Sequence, residues 1–193
     1  MAERTHRNNM EEEIFAQGRL FELVHIEQPD GRVFEVARRA PGVRVIIADE
    51  QNQKVLLTRE FRRELNGWDY RLPGGKVYDT LEEFESARAS NDDILEAVRH
   101  KSIAEASEEA GVSVEDVELY SKSTLGATVE WDLYVMVATA WQVDEAGQSL
   151  EAGEDIEAVD WVDYDRAKQM VMDGDINEDR IALILLRWLE GQK

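Results

Sequence analysis

The sequence contains no cysteine, and this absence excludes several kinds of functional site. Disulfides, thiolate nucleophiles and zinc sites built on cysteine all require a residue that this chain does not have. No apolar run approaches the roughly 18 residues needed to cross a bilayer. The first residues also lack the apolar core of a secretory signal. We therefore expect a cytoplasmic protein with no membrane partner.

Basic residues are scarce relative to acidic ones. The chain has 22 Lys and Arg against 42 Asp and Glu, which gives a formal net charge of -20. A surface this acidic is repelled by a phosphate backbone, so nucleic acid is not an expected partner. The 193 residues, 43% of them hydrophobic, are enough for one domain with a real core and a modest extension.

Hydrophobic periodicity and turn residues predict the order of strands and helices. A long helix is expected over residues 91–110, where Ser90 or Asn91 caps its start and Gly111 ends it. The other helices are expected near residues 10–16, 164–172 and 177–190. Strands are expected near residues 20–27, 32–39, 43–48, 55–61, 68–72, 117–123, 130–141 and 156–162. This order predicts one α/β domain with a mixed sheet between helices.

Three glutamates stand together near the end of the long helix. Glu105, Glu108 and Glu109 occupy positions i, i+3 and i+4, which a helix places on one face. In a chain this acidic, such a face can simply be solvated. The segment 72–75, Leu-Pro-Gly-Gly, before the glutamates and Gly111 after them favour a site instead. Clustered carboxylates are hard oxygen ligands that suit Mg²⁺ or Mn²⁺, and these ions bridge pyrophosphate oxygens.

These two segments resemble the signature of the Nudix hydrolases. The family's box runs Gly, five residues, Glu, seven residues, Arg-Glu, an apolar residue, any residue, Glu-Glu, any residue, Gly and an apolar residue. Its second half is similar to residues 104–112, with Ala104 where the box has Arg, and its first glycine matches Gly75. The two box glycines are 21 positions apart in the family, whereas Gly75 and Gly111 are 36 apart. About fifteen residues are therefore inserted in this chain.

Further segments are similar to the ADP-ribose and nucleoside diphosphate sugar pyrophosphatase branch of that family. They are residues 59–62, 68–73, 154–157, 161–162 and 174–176, together with Gly126 and Glu130. The resemblance implies a Nudix-like α/β/α sandwich over residues 41–193. It also implies an N-terminal extension, residues 1–40, whose two strands pair with a second copy in a homodimer. The implied reaction splits a substrate such as ADP-ribose into a nucleoside monophosphate and a sugar phosphate.

The resemblance also implies roles for particular residues. Glu105, Glu108 and Glu109 would be metal ligands, the last two also catalytic, and the Gly74 carbonyl is a candidate for a fourth ligand.

The base that activates water would come from the later acidic loop. Glu154 is the first candidate and Glu151 the second, with an ordinary polar loop as the alternative.

Substrate contacts are expected from basic, acidic and glycine residues around the box. For Arg62, a surface position on its strand is an equal alternative. The expected contacts come from Arg62, Arg71, Gly75 and Glu130.

Two departures from the box affect these expectations. The family's arginine orients the glutamates, and Ala104 cannot do so; Lys101, four residues before Glu105, is a candidate to replace it, although it can also be a plain surface lysine. The first box glutamate aligns by count with Glu96, but nine residues of continuous helix separate it from Glu105 and place it on the opposite side. That role is left unassigned, with Glu82 or Glu83 as alternatives. Because the arginine is missing, a module that binds a nucleotide without cutting it is the alternative to a hydrolase.

Overall fold

The computed structural model describes residues 12–150, 153 and 155–192, without the side chain of Ala158. In chain order the elements are β1 (Glu12–Gln17), β2 (Phe21–Glu27), β3 (Val33–Arg39), β4 (Gly42–Ile46), β5 (Ala48–Asp49), β6 (Lys54–Arg62), β7 (Gly67–Arg71), α1 (Leu81–Ala89), α2 (Ile94–Ala110), β8 (Val112–Thr124), β9 (Val129–Glu130), β10 (Asp132–Val143), β11 (Ile156–Asp163), α3 (Tyr164–Asp173) and α4 (Asp179–Gly191). None of the helices in these ranges is long and apolar enough to cross a membrane.

The strands form three sheets. One has the order β4-β10-β8, with β4 and β10 parallel, and a second has the order β11-β6-β5 with β7 added at β6. Both sheets contribute to two buried clusters, one against α3 and α4 and the other against α2. The expected mixed α/β architecture between helices is confirmed.

A third sheet, β1-β2-β3-β9, contains the N-terminal strands. Its β3 pairs in parallel with β9, which connects it to the segment between β8 and β10. Arg38 strengthens this junction because its guanidinium donates to Glu22 at 2.9 Å and to Glu130 at 2.8 Å. The extension is therefore attached to the rest of the chain through β9 and this arginine.

The prediction of a short helix near residues 10–16 is wrong for residues 12–16, the part of it that the structure describes. Residues 12–17 form β1, which pairs antiparallel with β2. A helix of one or two turns pays a nucleation cost that so few hydrogen bonds do not offset. Pairing with β2 satisfies the same backbone groups through a neighbouring strand.

The structure of the box region differs from expectation in the cap of α2 and in the presence of α1. The cap of α2 is Asp93, whose side chain accepts from the backbone N–H of Leu95 at 2.9 Å, so Ser90 and Asn91 are not its cap. The inserted residues form α1, a helix that the periodicity did not indicate. Its capping box, Thr80 with Glu83, was the available sequence signal.

Candidate functional site

The Pro73–Gly75 turn lies along β4. The backbone N–H of Val43 donates to the Gly75 carbonyl at 2.9 Å, and that of Val45 donates to the Pro73 carbonyl at 2.9 Å. Gly74 has φ +146, and a Cβ there would overlap the Val43 carbonyl. Only glycine fits this position, so the turn is fixed closely against the strand.

The glutamates of α2 meet this turn. The Gly74 N–H donates to Glu109 Oε2 at 2.6 Å. The Glu105 carboxylate lies so close to Gly75 that any side chain there would collide with it. Glu105 and Glu109 are buried, whereas Glu108 is partly exposed. Two of the three carboxylates therefore do not belong to a solvated acidic face. Gly75 lies next to them because of its contact with Glu105.

Burial makes these carboxylates costly to ionise. It raises the pKa of Glu109 to about 8, against the opposing charge of Arg44 and the Gly74 hydrogen bond. Burial also raises the pKa of Glu105, opposed by its hydrogen bond to Lys101. Burial therefore shifts both carboxyl groups toward the protonated form, although nearby cations oppose the shift. A cation at this place would stabilise the ionised form instead.

Lys101 lies along the acidic face, as its helical spacing predicts. Its Nζ is 2.9 Å from Glu105 Oε1 and 3.7 Å from Glu108 Oε2. The orienting role expected for it stays a prediction. Ala104 on the same helix contributes no charge.

The oxygen donors present suit a hard divalent ion. They are the buried carboxylates of Glu105 and Glu109 and the carbonyl of Gly74, whose N–H donates to Glu109. Carboxylate and carbonyl oxygens are ligands that Mg²⁺ takes. Within residues 12–150, 153 and 155–192, no three acidic or histidine side chains form a ready-made metal group. Lys101 contacts Glu105 and Arg44 contacts the Gly74 carbonyl, so side-chain cations already touch two of these oxygens.

A cluster of arginines stands next to the carboxylates. The guanidinium carbons of Arg39 and Arg180 lie 4.4 and 4.2 Å from the centroid of the Trp131 ring. Burial and the charges of Arg180 and Arg44 lower the pKa of Arg39, so these cations repel one another. Among the described residues, three buried nitrogens of this cluster have no hydrogen-bond partner: Arg39 Nε, Arg44 Nε and Trp131 Nε1. Arg180 Nη2 lacks a hydrogen bond too, but it forms an ion pair with Glu178 Oε1 at 3.7 Å. Buried donors without acceptors are costly, so the cluster favours an anion with several acceptor oxygens.

The Trp131 ring links this cluster to the turn. A Cβ on Gly42 would touch Trp131 Nε1 on one side and the Gly75 carbonyl on the other. Arg180, at the start of α4, also donates from Nη1 to the Trp131 carbonyl at 3.2 Å. The basic cluster and the buried carboxylates thus lie on neighbouring parts of the same turn and strand.

The basic cluster was missed at the sequence level. Arg44 interrupts the buried run Val43–Ile47, and a charge inside a buried strand is a usable signal. For Arg39 and Arg180, nothing in their local spacing distinguishes them from surface arginines.

Other predicted site residues are engaged in ion pairs. Arg62 donates to Glu60 at 2.7 Å and to Glu64 at 2.8 Å. Arg71 is buried, and donates to Asp69 at 3.0 Å and to Glu178 at 2.7 Å. Glu130 accepts from Arg38. The substrate contacts expected of these residues stay predictions.

The remaining expectations concern acidic residues that are not part of the contact between the α2 glutamates and the Pro73–Gly75 turn. Glu151 and Glu154, the candidates for the base, lie outside the described residues. Glu96 pairs with His100 at 2.9 Å on the exposed side of α2. Glu83 accepts from the Thr80 N–H in the capping box of α1. Glu82 is an exposed residue of the same helix.

Comparisons with known proteins identify the family. The Nudix domain profile matches residues 38–183. GDP-mannose pyrophosphatase from Enterobacter sp. (strain 638) is 31% identical over 160 residues, which cover 81% of this chain and 76% of that protein. A solved structure of an ADP compounds hydrolase superposes with a TM-score of 0.63 over 95% of both chains at 24% identity, and this likeness supports the fold. The turn, the glutamate helix and the profile together show that this chain belongs to the Nudix family and is a Nudix hydrolase.

Proposed function

We propose that this hydrolase uses Mg²⁺ or Mn²⁺ to cut the diphosphate linkage of a nucleoside diphosphate sugar such as ADP-ribose. The observation that carries the proposal is that arginine donors without hydrogen-bond partners among the described residues lie close to buried carboxylates, with Arg44 joined to Glu109 through the Gly74 peptide. The first group suits a divalent ion and the second suits phosphate oxygens. The relative named as a GDP-mannose pyrophosphatase supports this class of substrate. The absence of cysteine supports a cytosolic site of action.

Each half of the site has a role in the proposed reaction. Glu105, Glu108 and Glu109 would hold the ion, which polarises the diphosphate when bound. The guanidinium groups of Arg39 and Arg180 would bind the non-bridging oxygens and fix the position of the phosphorus atom. One water molecule adds to a phosphorus atom and the bridging P–O bond breaks, giving a nucleoside monophosphate and a sugar phosphate. The base that takes the water's proton is expected at Glu154 or Glu151.

A second copy of the chain is part of this proposal. The N-terminal sheet exposes large apolar side chains that a soluble monomer would leave in water. They are Ile14, Phe15, Phe21, Leu23, Val33 and Phe34, each between 39% and 52% exposed. Pairing of two such sheets would cover them in a homodimer.

A substrate screen tests the activity. ADP-ribose, UDP- and GDP-sugars, dinucleoside polyphosphates and nucleoside triphosphates are incubated with the protein and Mg²⁺ or Mn²⁺, and the products are separated by chromatography. We expect a nucleoside monophosphate from one of the sugar nucleotides and none in the presence of chelator. If calorimetry shows that a nucleotide binds but no reaction gives a product, the chain is better explained as a module that binds a nucleotide without cutting it. That alternative arises because Ala104 replaces the box arginine.

A further inference from the structure

The cation that faces Glu109 comes from a strand rather than from the box helix. Position 104, where the box has arginine, is alanine, and the contacts of Lys101 described above are with Glu105 and Glu108. Arg44, in the middle of β4, lies against the turn that receives Glu109. Its strand neighbours Val43 and Val45 pack in the cluster that contains residues of α2, so the Arg44 side chain lies on the other face of β4.

A single glycine connects Arg44 with Glu109. Arg44 Nη1 donates to the Gly74 carbonyl, and the Gly74 N–H donates to Glu109 Oε2 at 2.6 Å. The Gly74 carbonyl is therefore held by Arg44, and the Gly74 N–H is held by Glu109. Because Gly74 has no room for a Cβ against Val43 and Arg44, its position follows that of β4. A shift of the guanidinium would move the peptide that holds the carboxylate.

Charge adds to this contact. The guanidinium of Arg44 also attracts the carboxylates of Glu105 and Glu109 electrostatically. Arg44 is partly buried, and its Nε has no partner within the described residues. A guanidinium offers a planar set of donors for this purpose, and it stays charged where a buried lysine can lose its proton.

We propose that Arg44 is a positioning residue that takes over, from β4, the orienting role of the arginine missing at position 104. It fixes Glu109 through the Gly74 peptide, so it positions the catalytic carboxylate and is not itself a catalytic residue. This inference concerns the protein before substrate binds. Only its effect on turnover rests on the proposed function.

Amide exchange at Gly74 tests the inference in the metal-free protein. The sequence has two Pro-Gly pairs, Pro41–Gly42 and Pro73–Gly74, so ¹³C-proline with ¹⁵N-glycine labelling marks these two amides by NMR. In Arg44→Met the hydrogen-bonded Gly74 amide should exchange roughly ten- to a hundredfold faster, because the peptide that presents it to a carboxylate is no longer held. The Gly42 amide should keep its rate.

Two further variants complete the test. Arg44→Gln keeps a donor without the charge and should fall between wild type and Arg44→Met. Arg166→Ala, which removes an exposed arginine of α3 paired with Asp173 and Asp175, should leave Gly74 unchanged. With the substrate found by the screen, Arg44→Met should lower kcat more than it raises KM.

Three results would overturn the proposal. An unchanged Gly74 rate in Arg44→Met means that the guanidinium does not hold the turn. Equal acceleration of Gly42 and Gly74 means that the substitution only loosens β4. A rise in KM with unchanged Gly74 exchange makes Arg44 a substrate ligand instead. If Arg44→Met fails to fold, a wild-type rate in Arg44→Gln overturns it equally, and none of the exchange results depends on which substrate is cut.

Discussion

Replacing Arg71 with alanine should destabilise the protein strongly. Its guanidinium is almost completely buried and bridges two elements, donating to Asp69 in β7 and to Glu178 just before α4. The Asp69 side chain is fully buried, and its other oxygen accepts from the Asn177 N–H at 2.8 Å. Arg71→Ala leaves that carboxylate in the interior with one donor fewer and no cation.

The magnitude follows from the burial of the pair. Removing one partner of a buried ion pair costs about 3–5 kcal/mol, because the other charge stays uncompensated. In a chain of this size each kcal/mol lowers the melting temperature by about 2–4 °C, so a fall of roughly 6–20 °C is expected. Thermal unfolding followed by circular dichroism measures it.

Arg62→Ala is the matched control. Arg62 also pairs with two carboxylates, Glu60 and Glu64, but its side chain is 28% exposed and that of Glu64 is 56% exposed. Pairs at the surface contribute at most about 1 kcal/mol, so this variant should melt within a few degrees of wild type. Both arginines are expected substrate contacts on sequence grounds, and the comparison separates that role from stability.

One result would refute the reasoning about Arg71. If Arg71→Ala melted within about 2 °C of wild type, the buried pair would not stabilise the fold as calculated. A raised KM in the same variant would then favour the substrate contact expected from the sequence.

Three other outcomes are expected. Glu108→Gln and Glu109→Gln should each lower kcat by orders of magnitude with Mg²⁺ present, and chelator should abolish wild-type activity; near-normal turnover in both variants would reject the metal ligands. Lys101→Ala should lower turnover or Mn²⁺ affinity with little change in melting temperature, and Ala104→Arg in that background should recover part of the loss; wild-type behaviour would make Lys101 a plain surface residue. Analytical ultracentrifugation should show a dimer at micromolar concentration that Phe34→Glu disrupts, whereas a wild-type monomer would contradict the proposed homodimer.

Much of the fold was predictable because local patterns agree with the final packing. From the alternation of apolar residues in strands and the helix end at Gly111, most elements were predicted within a few residues of their observed bounds. The failures are at short segments. Residues 12–17 form a strand because β2 supplies their hydrogen-bond partners, and this partner is not visible from the segment itself.

The site divides in the same way. Glu105, Glu109 and the glycines of the turn follow from helical spacing and motif, and they meet in the structure. Arg39 and Arg180 join them only through the tertiary fold, since 141 positions separate the two in sequence. Local pattern carries no information about such a contact.

The direct contact of Gly75 with Glu105 also explains why the inserted residues are tolerated. These two residues are 30 positions apart here and 15 in the family's box. Doubling a flexible connection costs only about 0.6 kcal/mol of chain entropy on closure. The insertion forms α1, which docks on the N-terminal segment through the Leu81 N–H and the Arg19 carbonyl at 2.9 Å. The site thus depends on the close approach of Gly75 and Glu105 in space, and a longer chain between them is compatible with that approach.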